Sequence, residues 1–138
     1  MNPTYSGDKR KSFLCTPSTI KNVRHWIAGV LLDHGAPTPF VNDLVLAASE
    51  AVTNSVTHSY EPTLEGVVDV QVLFWGKEVQ LVVRDYGASF AFKEFTAPDL
   101  TIPHEGGYGL FLIRALVNSV TVVSLDRGTE VRMVKKLP

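Results

Sequence analysis

The sequence predicts an α+β domain built in two layers, a mixed and mostly antiparallel sheet covered on one face by three helices. Two observations predict it. Residues 68–83 and 120–137 alternate apolar and polar side chains around glycine-bearing turns, as hairpins do when only one side is dry. Three further stretches, within 20–31, 44–60 and 110–117, carry apolar residues at helical spacing or nearly without interruption. A chain of 138 residues, 45% hydrophobic and 20% charged, suits one folded domain, expected over residues 12–138 with a loose segment over 1–11.

Charge and cysteine content narrow the function classes. Thirteen Lys and Arg against fourteen Asp and Glu give a net charge of -1, so no overall field favours nucleic acid. The apolar runs are too short for a bilayer, and the first twelve residues lack the apolar core of a secretion signal. Cys15 is the single cysteine, which excludes an internal disulfide and fits a reducing cytoplasm. In its apolar segment it reads as a small buried hydrophobe. No two histidines stand at metal-ligand spacing, so no structural zinc is expected.

Taken in order, Ser12 to Thr16 reads as a short strand. Thr16 then caps a first helix entered through Pro17, with Ile20, Val23, Ile27, Val30 and Leu31 on its apolar side and Gly35 to end it. The second helix runs to Tyr60, with Thr38 as its cap and Pro39 at its first position. Leu44, Ala48, Ala51, Val52 and Val56 form its core stripe. Its other face carries Ser49, Glu50, Thr53, Asn54, Thr57 and His58, short polar groups rather than the long soluble side chains of an ordinary exposed face. That face is either mildly polar surface or a contact surface.

The register of the first hairpin follows from its turn. With Gly76-Lys77 as a two-residue loop, Phe74 opposes Val79, Val72 opposes Leu81, Val70 opposes Val83 and Val68 opposes Asp85. Asp85 therefore points to the apolar side. It is either a turn aspartate before Tyr86-Gly87 or a carboxylate whose partner is a ligand, since a buried carboxylate without a partner is too costly. Residues 86–105 have no period and read as a lid. Gly106-Gly107-Tyr108-Gly109 leads into LFLIRALV, a helix expected to be buried nearly all round, and its glycines serve either a phosphate or close packing. The last hairpin, Val120 to Leu125 and Thr129 to Leu137, turns at Asp126-Arg127-Gly128 and sends the Thr129 hydroxyl inward.

The four segments SEAVTNSVTH, VRDYGAS, GGYGLFLI and RGTEV, in that order, resemble the motifs of the ATP-binding fold shared by gyrase, histidine kinases and MutL, the GHKL superfamily. Within it they are most similar to the small serine kinases that act as bacterial anti-sigma factors. The resemblance covers about Ser12 to Leu137 and implies a Bergerat-type fold that binds ATP and Mg2+. It implies Glu50 as the catalytic base and Asn54 as the metal ligand. It places adenine against Asp85, Gly87 and Thr129, and phosphates against Gly106, Gly107, Tyr108, Gly109 and Leu110, with His58 nearby. The implied partners are an anti-sigma factor antagonist that accepts phosphate on serine, a sigma factor, and a second copy of the chain. The implied function is an ATP-dependent serine/threonine kinase acting as an anti-sigma factor; an ATP-gated binding regulator with little phosphotransfer is the alternative. Ser89 stands where relatives carry a second glycine after the aspartate, which narrows the backbone freedom of the lid hinge.

Overall fold

The computed structural model describes residues 5–16, 18–55, 66–87 and 109–138. Its elements are β1 (Tyr5–Leu14), α1 (Thr19–Asp33), α2 (Thr38–Asn54), β2 (Val67–Trp75), β3 (Glu78–Asp85), α3 (Gly109–Leu116), β4 (Ser119–Ser124) and β5 (Thr129–Lys136). The five strands form one sheet in the order β1-β2-β3-β5-β4. Among the described residues all four strand pairings are antiparallel.

The β2–β3 register agrees with the expected one pair for pair, from Phe74 opposite Val79 to Val68 opposite Asp85. Gly76 takes a φ of 59°, the left-handed value that a two-residue hairpin turn requires. One sheet face is dry: Val68, Val70, Val72, Leu81, Val83, Val131 and Met133 pack under Val23, Ile27 and Leu31 of α1 and Leu44, Ala48 and Val52 of α2. Ala47, Ala48 and Ala51 are fully buried, and such small side chains allow α2 to lie close to both α1 and α3.

Four local expectations need correction. β1 begins at Tyr5, not Ser12, and pairs with β2 from Tyr5 opposite Trp75 to Leu14 opposite Val67. Within it only Phe13 is buried, so no apolar alternation announced the strand; Lys9, Arg10 and Lys11 instead blunt an exposed sheet edge. α1 starts at Thr19 rather than beside Thr16, whose amide donates to Thr19 Oγ1 at 2.7 Å. α2 starts at Thr38 itself with Pro37 in the cap position, extended at ψ 150° and without a side-chain cap bond. The carbonyl of Pro37 accepts the Val41 amide at 3.0 Å, and Pro39 has no amide that would need a cap. Finally, α3 is covered on one side only: Ile113 is buried, while Leu112 is 37% exposed.

The end of α1 is as expected. Gly35 has a φ of 90°, and the amides of Gly35 and Ala36 return to the carbonyls of Leu32 and Leu31 at 3.0 and 3.1 Å, closing the helix with a left-handed residue.

One side chain ties the layers together. Lys135 of β5 donates to the carbonyl of Leu116 at the end of α3 at 2.6 Å and pairs with Asp43 of α2 at 3.4 Å. The ammonium thus holds α3 between sheet and helix. Lys135→Met should lower unfolding free energy by about 1–3 kcal/mol, because a charge-assisted bond is lost and a helix-end carbonyl is left bare. Urea unfolding of both proteins checks this, with an unchanged midpoint as the contrary result.

Candidate functional site

The end of α2 meets the start of α3 and the end of β3. A β-carbon placed on Gly109, the first residue of α3, would stand 3.1 Å from Asn54 Nδ2 and 3.5 Å from Glu50 Oε2. Glycine here lets the backbone at the start of α3 come close to the Glu50 and Asn54 side chains. Both Glu50 and Asn54 are half-buried, and among the described residues neither side chain makes a hydrogen bond or ion pair. Leu110, next along α3, is half-buried. His58, Gly106, Gly107, Tyr108 and Ser89 lie outside the described residues.

The rest of that polar face is not all contact surface. Ser49 is buried and donates to the carbonyl of Val45 at 2.8 Å, and Thr53 donates to Ser49 at 2.7 Å. Hydroxyls spent on the preceding turn of their own helix have nothing left to donate to a ligand. Thr57 lies outside the described residues.

At the other end of the cluster sits Asp85, 1% exposed. Its Oδ1 accepts the amides of Thr129 at 3.1 Å and Gly87 at 3.3 Å, and its Oδ2 accepts the hydroxyl of Ser55 at 2.9 Å. The Gly87 bond is the turn contact of an aspartate placed two residues before it. The other two join the end of α2 and the start of β5. The carboxylate therefore has protein partners of its own, whatever else it binds.

Thr129 is likewise 1% exposed, and its Oγ1 is buried without a hydrogen-bond partner. A buried hydroxyl left unpaired costs free energy, so this atom, beside a carboxylate, marks a place where a ligand or water is expected.

Two contributors escaped the sequence reading. Ser55 follows the apolar stripe, four residues after Ala51, and a hydroxyl on that stripe needs an inward polar partner; that was the available signal. Gly128, at φ 93°, lies so near β3 that a β-carbon would come within 2.0 Å of the Asp85 carbonyl oxygen. Only its place beside Thr129 in RGTEV hinted at this.

Cys15 is half-buried rather than buried. Burial and, secondarily, the charge of Asp85 push its thiol up to about 11. Arg10, Asp69, Arg84 and Glu130 of four strands, with Tyr86 and Arg127 from the segments beside them, line a separate cavity of about 710 Å³ on the open sheet face. Strand alternation sets it apart from the Asp85 cluster.

An antiparallel sheet under three helices, with polar groups gathered where α2, α3, β3 and β5 meet, is the architecture of a nucleotide-binding domain of the GHKL class. The chain belongs to the histidine kinase-like ATPase domain family, which matches residues 13–135. It is 34% identical over 122 residues to the serine-protein kinase RsbW of Staphylococcus epidermidis, covering 82% of this chain and 76% of that one. Against the serine-protein kinase RsbW of Bacillus licheniformis it is 31% identical over 129 residues, 88% and 80% of the two chains.

Two solved structures share the fold. The RsbU and RsbW domains of a Mycobacterium tuberculosis protein superpose with a TM-score of 0.74 at 23% identity, over 96% of this chain and 33% of that one. The histidine kinase domain of an Erythrobacter litoralis blue-light activated kinase gives 0.57 at 24% identity, over 73% and 46%. This chain thus spans less than half the length of either. Among the described residues no helix is long and apolar enough to cross a membrane.

Two measurements check the site. Gly128→Ala should cost more than about 2 kcal/mol of stability, since the backbone is left-handed there and the space is filled by β3. Ordinary stability in urea would contradict the close approach. For Cys15, a neutral thiol is the folded form until pH nears 11, so its reaction with a disulfide reagent at pH 8 should be slow, rise towards pH 11, and become fast on unfolding. Asp85→Asn should move that rise to lower pH, and an unmoved profile would remove Asp85 as a cause.

Proposed function

We propose that the protein is an ATP-dependent protein serine/threonine kinase that acts as an anti-sigma factor, phosphorylating a serine of an antagonist protein and holding a sigma factor when the antagonist is absent or phosphorylated. The observation that carries the reading is the pair Glu50 and Asn54, unpartnered among the described residues and facing the glycine that opens α3. The names of the relatives, serine-protein kinases, support it.

ATP with Mg2+ supplies the γ-phosphoryl group and the charge neutralisation that its transfer needs. The residues fit that pair: the backbone at Gly109, bare of a side chain and beside Asn54 and Glu50, suits a close approach of phosphate, and the orphaned Thr129 hydroxyl beside Asp85 suits the edge of a base. Asn54 offers a neutral carboxamide oxygen, a hard donor suited to Mg2+. Glu50, one turn earlier on the same side of α2, takes the proton from the attacking serine hydroxyl. Asp85 accepts the adenine amino group, Gly87 lets the base lie against the backbone, and Thr129 supports its other edge. Gly106, Gly107, Tyr108, Gly109 and Leu110 would hold the phosphates, and His58 is assigned to nucleotide binding with them. On this reading the kinase works in the cytoplasm as a homodimer.

Incubation with Mg-ATP and an antagonist protein should yield phosphoserine, and Glu50→Ala should slow its formation by about a hundredfold or more. Unslowed transfer would remove Glu50 as the base. Mg-ATP at a hundred times its dissociation constant should stabilise the wild-type chain by about 2.7 kcal/mol, and Asp85→Asn should abolish that gain. Tight binding with no phosphorylated antagonist would instead leave an ATP-gated regulator.

A further inference from the structure

We propose that Leu46 of α2 and Leu112 of α3 form an apolar ledge beside Glu50 that receives the acceptor segment of a protein substrate, in extended form, with an apolar side chain two residues from the serine. The inference rests on the reading that Glu50 is the base, and concerns which serines it can serve.

The direction of α3 across α2 brings the two leucines to one level. Gly109, at the start of α3, stands against Glu50 and Asn54, whereas Leu116, at its other end, is tied through Lys135 to Asp43. The two helices are therefore antiparallel. Leu112, three residues along α3 from Gly109, comes level with the turn of α2 between Leu46 and Glu50. Leu46 stands four residues before Glu50 on the same side of that helix. Both leucines are exposed, Leu46 at 46% and Leu112 at 37%, while their chain neighbours Ala47 and Ile113 are fully buried and close the core. A single exposed leucine is ordinary surface, but two at one level on adjoining helices, next to a half-buried carboxylate, place an apolar surface at a reactive group.

Continuity with Glu50 decides what the ledge holds. A serine that gives its proton to Glu50 must come within hydrogen-bond reach of it, so the chain that carries the serine crosses the α2–α3 surface there. Four helical residues rise about 6 Å, and an extended strand presents the same side every two residues, about 6.6 Å apart. The distance from Glu50 to Leu46 thus matches the distance from the serine to its second neighbour. An apolar side chain at that position leaves water against the leucines, whereas a charged one loses hydration and gains no partner from them. A second copy is a poorer occupant. A stable dimer needs on the order of 800 Å² from each partner, far more than two half-exposed side chains offer.

The test gives the full chain Mg-ATP labelled on the γ-phosphate and a library of serine peptides in which each flanking position is varied in turn. At the second residue on one side of the serine, Leu, Ile, Val or Met should be favoured over Asp, Lys or Ser by about tenfold, the scale of covering one apolar side chain. Leu46→Gln and Leu112→Gln should each shrink that preference several-fold by raising KM with kcat nearly unchanged. Leu46→Met should keep it, and calorimetry should find wild-type affinity for Mg-ATP in all three variants. A preference that survives both Gln substitutions would overturn the ledge, as would peptides phosphorylated without regard to the second residue. Mg-ATP that binds while no peptide is phosphorylated would exclude an extended acceptor segment. A change of oligomeric state in the Gln variants, read by light scattering, would give the surface to a second copy instead. Each of these outcomes leaves the nucleotide site standing. A wild-type chain that does not bind Mg-ATP would remove that site, and the proposal with it.

Discussion

The placement of one carboxylate conditions much of this structure. Asp85 lies at the end of β3, nearly out of solvent, where an acceptor without donors would cost more than most single contacts return. Its donors come from the end of α2, the start of β5 and the residue that follows the turn. Satisfying it therefore requires three segments far apart in sequence to arrive together. Gly128 shows how closely they arrive, since β5 enters along a path that no side chain at that position could share with the Asp85 backbone.

The same helix end serves both halves of the polar cluster. Ser55 turns toward the sheet and Asp85, while Glu50 and Asn54 turn toward the first residue of α3. Because these residues sit within two turns of one helix, their separation is set by backbone geometry rather than by loop conformation. The alanine-rich stripe of α2 lets that helix settle between its neighbours, and Lys135 holds the far end of α3 against it. A site built this way inherits the rigidity of the core.

Strand alternation divides the sheet into two chemical surfaces. Asp85 faces the helices, whereas Arg84 and Tyr86 on either side face outward, where the guanidinium lies over the phenol ring and the phenol donates to Asp69. That bond to Asp69, followed by partial desolvation, raises the Tyr86 pKa. The outer network thus braces the strand end that holds the carboxylate.

Short-range pattern was enough for the frame. The register of the first hairpin, the inward aim of Asp85 and Thr129, the glycine that ends α1 and the stripe of α2 all follow from periods of two and 3.6 residues and from glycine at turns, which act between neighbours in the chain. The four motif segments likewise declared a GHKL-type domain. Periodicity could not announce β1 before Ser12, because an edge strand exposed on both faces has no apolar alternation. It could not foresee the one-sided cover of α3, because burial depends on what packs against a helix as well as on its composition. Nor could it pair Ser55 with Asp85, thirty residues away, or bring Gly128 against the backbone of β3. Those contacts exist only once the chain has closed on itself, since hydrogen bonding and exclusion act through space and not along the sequence.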